Sequence, residues 1–348
     1  MKILVSGSAG FIGFHLVNKL SFLGHSVTGI DNINDYYDVN LKYARLEHSG
    51  IDRQKIEYGK KLQSAALPNY NFYKIDITDR EKLFSLFAEE QFDCVCNLAA
   101  QAGVRYSIEN PQAYIDSNMY GFFNILEVCR AYPVKHLVFA SSSSVYGLNE
   151  KVPFSVNDIT DHPASLYAAT KKSNELMAYT YAHLFKIPST GLRFFTVYGP
   201  WGRPDMAYYK FANAIMKNIP IEVYNHGDML RDFTYIDDII EGTIAAIEHI
   251  PAGPSPSTDG TAPFALYNLG NNRPEKLPDF IAVLEQALNK TAEKKYLGMQ
   301  AGDVPVTMAD IGSTRRDLGW EPKTDIATGL KLFAEWFLAY KDTNNNTV

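Results

Sequence analysis

Tyr167-Ala168-Ala169-Thr170-Lys171 sets a phenol and an ammonium four residues apart. On a helix such a pair leaves the same face, one turn apart. A free tyrosine ionises near pH 10, which makes it a poor base at neutral pH. A fixed cation beside it favours the phenolate, and a shift of roughly three units takes about 4 kcal/mol of differential stabilisation. The serine run Ser141 to Ser144 offers hydroxyls that bridge such a phenol to a substrate alcohol and orient the proton transfer. Taken alone, Tyr-x-x-x-Lys is common on ordinary helices, so its meaning depends on the elements that position it.

Those elements begin at the N-terminus. Residues 2–5, KILV, read as a short buried strand that runs into Gly7-x-x-Gly10-x-x-Gly13 and then the helical apolar spacing of FIGFHLVNKLSFLG. Strand, glycine loop and helix together bring backbone close to a dinucleotide pyrophosphate and seat it on a helix N-terminus. A second strand, SVTGI, ends at Asp31. Its carboxylate accepts both adenosine-ribose hydroxyls and repels a 2′-phosphate, which selects NAD over NADP. The cationic nicotinamide of that cofactor is then a second charge favouring the phenolate.

The segment NINDYYDVNLKYARLEHSGIDRQKIEYGKKLQSAALPNY interrupts the alternation as a polar surface insertion with one or two short helices. Alternation resumes with NFYKID, a helix from about Asp79 to Glu90, FDCVCNLAA, a helix from about Pro111 to Ala131, and HLVFA. This pattern predicts an α/β fold with a doubly wound, Rossmann-like parallel sheet. Asp76 and Ile77 end the third strand, Ala99, Ala100 and Gln101 the fourth, and Ser141–Ser144 the next. Ligands collect at the carboxyl ends of such strands, so all of these face one crevice.

After RFFTV the regular alternation stops. YGPWGRPDMAYYKFANAIMKN reads as a loop and an amphipathic helix, IPIEVYNHGD as a strand, and RDFTYIDDIIEGTIAAIEHI as a return to the main sheet. The predicted division is a dinucleotide domain over 1–195, joined again by about 230–255, and a smaller mixed α/β substrate region over 196–229 and 256–340. PAGPSPSTDGTAP reads as a surface loop, ATGLKLFAEWFLAYK as a packed amphipathic helix, and the final NNNTV as frayed.

The 348 residues carry a net charge of −6, with 46% hydrophobic and 21% charged residues, and no Lys/Arg run. That argues against nucleic acid as a partner, and an anionic substrate must be met by local arginine or lysine. The N-terminus enters a strand at once, and no run of 18 apolar residues occurs. These features predict a cytoplasmic chain with no membrane partner. Cys94, Cys96 and Cys129 form no disulfide framework and read as core thiols. His136 and His162 lack ligand companions, and Asp237-Asp238 sits at a helix start where the dipole favours carboxylates, so no metal is predicted. Trp201 is placed either in the substrate pocket or at an interface.

GSAGFIG, Asp31, NLAAQAG, SSSSVYG, Tyr167-x-x-x-Lys171 and RFFTVYGP occur in order over nearly the whole chain and together resemble the extended short-chain dehydrogenase/reductase family. Within it, DNINDYYDVNLKYARL, QAGVRYS and YGPWGRPDMA are most similar to the UDP-glucuronate 4-epimerases, isomerases that interconvert UDP-glucuronate and UDP-galacturonate with tightly held NAD. The resemblance implies that Tyr167 is the base and acid, that Lys171 holds the nicotinamide ribose, and that Ser142 bonds the sugar 4-hydroxyl. It implies cofactor contacts for Gly7, Gly10, Phe11, Ile12, Gly13, Asp31, Asn32, Asp76, Ile77, Leu98, Ala99, Ala100, Gln101, Asn118 and Phe194. For the UDP-sugar it implies Phe195 and Thr196, Val223 and Tyr224, Arg231 at the diphosphate and Asp303 at the uridine ribose. The helices at about 111–131 and 165–186 resemble those of a four-helix homodimer interface. Ala301 stands where a relative often has Pro, and Gln300 where some have Arg.

A 4-keto uronate is a β-keto acid that loses CO₂ readily. Ser143, Ser144 and Thr196 are assigned to the carboxylate, where they hold the breaking bond near the carbonyl plane, and Arg105 and Arg203 are charge partners for carboxylate or diphosphate. Related 4,6-dehydratases place an Asp-Glu pair after the Ser/Thr, and decarboxylases a Glu near position 144; here only hydroxyls stand there. The alternatives are a UDP-glucuronate decarboxylase, a 4-epimerase of a neutral UDP-hexose, and a NAD-sensing binding protein without turnover.

Overall fold

The β1 strand (Lys2–Ser6) sends Ile3 and Val5 to one face and Leu4 to the other, all fully buried. Residues apolar on both sides belong to the middle of a covered parallel sheet. The computed structural model describes residues 1–253, 262–300 and 303–345. In it β1 lies between β2 (Ser26–Asp31) and β5 (Cys94–Asn97). Beyond β2 come β4 (Tyr70–Lys74) and β3 (Lys61–Gln63). Beyond β5 come β6 (His136–Ser142), β7 (Ser189–Phe194) and the strand Phe264–Leu269. Every pair is parallel except β3 with β4. The chain winds outward from β1 one way, returns, and winds the other way from β5, so a crevice opens at the carboxyl ends of β1 and β5.

Helices cover both faces. α1 (Phe11–Phe22) and the helix Ile236–Glu248 pack together on one face. α3 (Arg80–Glu90) and the helices Phe122–Ala131 and Leu166–Phe185 cover the other. α3 buries Leu83, Leu86 and Phe87, at about 2 kcal/mol apiece, which outweighs any intrinsic helix preference over so short a span. Cys94, Cys96 and Cys129 are buried core thiols. His136 bonds the Ile247 carbonyl and Thr190 inside the core.

Three expectations need correction. The strand Phe264–Leu269, assigned to the substrate region, pairs with β7 and closes the main sheet, because every one of its residues is apolar or buried on both faces. The insertion is more than surface helices. It carries α2 (Val39–His48) and supplies β3 as an antiparallel edge strand, and α2 buries Lys42 and Arg45. The helix predicted over 111–131 is α-helical at Pro111–Tyr114 and Phe122–Ala131 but widens to a π-helix over Ile115–Gly121. Such a wide turn often marks a functional site.

The segment Thr196–Tyr198 pairs with Phe233–Tyr235 and leads away from the sheet. Beyond it lie the helix Ala207–Met216, the short strand Ile221–Val223 paired with Lys294–Tyr296, and the helix Leu277–Leu288. The strand over IPIEVYNHGD is thus three residues long and ends in a turn with Asn225 and His226 in left-handed conformation. The last helix, Ile326–Asn345, packs on Leu277–Leu288. The acidic pair at the start of Ile236–Glu248 has a structural partner, since Asp238 accepts the backbone N–H groups of Lys323 and Thr324. Most of the PAGPSPSTDGTAP loop, the substitution at Ala301 and the end of NNNTV lie outside the described residues.

Candidate active site

Gly7 takes φ +71, and a β-carbon there would stand 2.9 Å from the Ala99 nitrogen; one on Gly13 would stand 2.1 Å from the Gly7 carbonyl. No side chain fits this turn. The strand ends around it bound one cavity of about 900 Å³. Gly7, Gly10, Phe11, Ile12, Gly13, Asp31, Asn32, Asp76, Ile77, Leu98, Ala99, Ala100 and Gln101 line it as predicted. The buried Asp31 carboxylate accepts the N–H groups of Ala9, at 3.1 Å, and Ile33, at 2.8 Å, while Asn32 donates to Asp76 at 2.7 Å. A cradle that admits only backbone, beside a fixed carboxylate at the end of β2, fits a dinucleotide with free ribose hydroxyls.

The same cavity reaches Ser142, Ser143, Ser144, Tyr167, Lys171, Phe194, Phe195, Thr196, Arg105, Arg203, Tyr224, Arg231 and Asp303. Ser142 ends β6 and caps the short turn after it, accepting from the Ser144 N–H and donating to the Ser144 hydroxyl at 3.1 Å. Ser165 caps the helix Leu166–Phe185, which projects Tyr167 and Lys171 from its first turns.

Two of the predicted site residues, Val223 and Asn118, do not line the cavity. Val223 is 1% exposed and packs in the core, and its carbonyl accepts the Leu297 N–H at 2.9 Å. Asn118 is likewise buried behind the wall. It accepts the Gln101 N–H at 2.7 Å and donates to the Gln101 carbonyl and Thr170 hydroxyl, both at 3.0 Å, so it braces the strand end against the Tyr167 helix. Trp201 does not line the cavity and packs among Phe14, His48 and Trp336.

The electrostatics of the phenol also differ from expectation. Burial raises the Tyr167 pKa above the ordinary tyrosine value; a hydrogen bond with Ser142 and the charge of Arg203 lower it, without overcoming burial. Lys171 donates to the Ala140 carbonyl at 2.9 Å, and burial pulls its pKa down to about 8. The cation that lowers the phenol here is Arg203, and Asp205 opposes it. Arg203 pairs with Asp205 through two nitrogens, with Nε at 3.0 Å, and Tyr36 donates to the same carboxylate at 3.1 Å. Burial alone would raise the Asp205 carboxyl, but Arg203 holds it below its usual value. Across the mouth, Arg105 reaches Asp303 at 3.3 Å and lies over the Tyr224 ring. Arg231 donates to the Pro305 carbonyl at 3.0 Å, and burial lowers its pKa.

Lys42, Tyr36 and Asp205 line the cavity without having been anticipated. Lys42 lies 3.9 Å from Asp31 and donates to Asn34 at 2.6 Å. The signal that could have found it is a pair of cations, Lys42 and Arg45, on the same side of α2 as the apolar Leu41 and Leu46. Among the described residues no group of three or more His, Cys, Asp or Glu is gathered for a metal, and no helix is long and apolar enough to cross a membrane.

The model of the NAD dependent epimerase/dehydratase family matches residues 3–270. The chain is 51% identical to Protein CapI of Staphylococcus aureus over 348 residues, covering 98% of this chain and 99% of that one. It is 48% identical to UDP-glucuronate 4-epimerase 4 of Arabidopsis thaliana over 350 residues, covering 98% of this chain and 76% of the relative. Among solved structures, a UDP-glucuronic acid 4-epimerase from Bacillus cereus in complex with UDP-glucuronic acid and NAD superposes with a TM-score of 0.85 at 31% identity, covering 98% of this chain and all of that one. With glycine cradle, Asp31 and the Ser142–Tyr167–Lys171 set in one cavity, the chain belongs to the NAD dependent epimerase/dehydratase family, in keeping with the extended short-chain dehydrogenase resemblance of its sequence.

Proposed function

We propose that this protein is an NAD-dependent isomerase, a UDP-glucuronate 4-epimerase that yields UDP-galacturonate. The observation that carries the reading is the cavity itself: a dinucleotide cradle opens into a pocket that holds the Tyr167 phenol, a hydroxyl-only serine run and the Arg203 guanidinium. Similar chains named as UDP-glucuronate 4-epimerases support it. The glycine loop of residues 7–13 and Asp31 would hold NAD, which would supply the hydride acceptor and donor for the sugar C4.

The chain's own residues do the rest. Tyr167 takes the proton from the 4-hydroxyl as the 4-keto sugar forms and gives it back when the alcohol re-forms. Ser142, at the end of β6 and lining the same cavity as the phenol, keeps the sugar oxygen in line with it. Lys171, as an ammonium, holds the nicotinamide ribose. Ser143, Ser144 and Thr196 bond the uronate carboxylate, and Arg203 supplies its counter-charge. With no carboxylate beside Ser142 to act on C5, the site favours reversible exchange at one carbon over dehydration. Arg231 takes the diphosphate, and Asp303 and Tyr224 take the uridine. Residues 1–195 with about 230–255 and the strand Phe264–Leu269 form the dinucleotide side, and 196–229 with about 270–340 the substrate side. The helices through 111–131 and Leu166–Phe185 make the contact in a homodimer.

Incubation with UDP-glucuronate and no added reductant is expected to yield UDP-galacturonate until the two balance. A pentose product instead would mean a decarboxylase, conversion of UDP-glucose alone a neutral-sugar epimerase, and no product a binding protein.

A further inference from the structure

Arg45 is fully buried on α2, yet its guanidinium serves the active-site loops. One terminal nitrogen donates to the Ala9 carbonyl, inside the glycine loop, at 2.9 Å, and to the Tyr37 hydroxyl at 2.7 Å. Nε and the other terminal nitrogen both donate to the Trp201 carbonyl, at 3.1 and 2.6 Å, and the latter also approaches the Gly202 carbonyl at 3.3 Å. Trp201 is held at φ 61, a left-handed conformation that is unfavourable for a non-glycine residue. The next side chain but one is Arg203, whose charge acts on the Tyr167 phenol. The strained turn therefore fixes where that cation stands, and Arg45 is the group gripping the turn. Its neighbours reinforce the grip: His15, from α1, bonds the Pro200 carbonyl at 3.0 Å, and Tyr36 holds Asp205. A single planar fork thus ties the pyrophosphate loop to the substrate loop.

We propose that Arg45 is a positioning residue that sets the 199–203 turn, and with it Arg203, against the glycine loop, so that dinucleotide seating and recognition of the sugar's anionic group are assembled together. The second half of this rests on the uronate reading above.

The test compares wild type, R45K, R203A and R45K/R203A. Lysine keeps the charge and the fold but cannot hold Ala9 and Trp201 at once. With NAD added to saturation, calorimetric binding of UDP by R45K is expected to stay within about twofold of wild type while that of UDP-glucuronate weakens about tenfold, with no further loss in the double variant beyond R203A. Separately, R45K is expected to emerge from gel filtration with less bound NAD than wild type. Equal weakening of UDP and UDP-glucuronate, additive losses in the double variant, or full NAD retention by R45K would each overturn the proposal. If wild type binds UDP-glucuronate no better than UDP, the substrate reading fails, and Arg45's role is decided on NAD retention alone.

Discussion

Tyr167 and Lys171 were legible as a pair from spacing alone, because four residues on a helix is a local geometry that tertiary context hardly alters. Their electrostatics were not legible. The cost of burying a phenol and the carbonyl that claims the lysine depend on the walls of the cavity, which no short motif describes. Replacing Tyr167 with Phe should cut turnover on UDP-glucuronate by about a thousandfold while leaving bound NAD in place, as read by initial rates and cofactor content. Exchanging Ser144 and Thr196 for Ala should raise the share of pentose product, and unchanged partitioning would count against their hold on the carboxylate. Lys171 makes a stability prediction with a definite sign. Its folded pKa, about 8, lies below the unfolded 10.5, so the fold carries the cost of a buried ammonium below pH 8 and sheds it as pH rises toward 10.5. Lys171→Met should therefore gain on wild type by about 3 kcal/mol at most at pH 7, and that margin should shrink at pH 9.5 in urea melts.

At the scale of elements, the strand–loop–helix of residues 2–22 could be read directly, since the close approach at Gly7 and Gly13 excludes every other residue. Gly13→Ala should abolish NAD binding, with the protein still folded by circular dichroism. Elements fixed by distant partners could not be read. β3 is a strand only because β4 offers an edge, and Arg45 is buried only because the 199–203 turn lies across it. The end of α3 shows how such distant ties hold. Glu90 bonds Lys2 and Lys61, both at 2.6 Å, joining α3 to β1 and β3. Burial works against the charged carboxylate, but the two lysines outweigh it and bring its pKa down to about 2. The stability it contributes is full above the ordinary value of 4.5 and is lost as pH falls toward 2. Glu90→Gln should cost about 1 kcal/mol at pH 7 and nearly nothing at pH 2, by denaturant titration at both.

At the scale of the molecule, the doubly wound α/β class followed from alternation of apolar strands and amphipathic helices, which is a whole-chain pattern. The surface of the helices through 106–131 and Leu166–Phe185 exposes Ile108, Ile115, Tyr120, Phe123, Leu176, Leu184 and Phe185. So many large apolar groups on adjoining helices fit the proposed homodimer. Light scattering should give twice the chain mass, and Leu176→Arg with Phe123→Asp should halve it without unfolding the protein. A monomeric wild type would refute the pairing.

The strand Phe264–Leu269 lies against β7 although some seventy residues, about half of them on the proposed sugar side, separate the two in the chain. A nascent chain on the ribosome thus holds seven strands with an open flank until its last quarter emerges. Neither lobe is a cassette that can be cut out or exchanged with a relative's, and a gene truncated after β7 should yield an aggregating product, not a small NAD-binding protein.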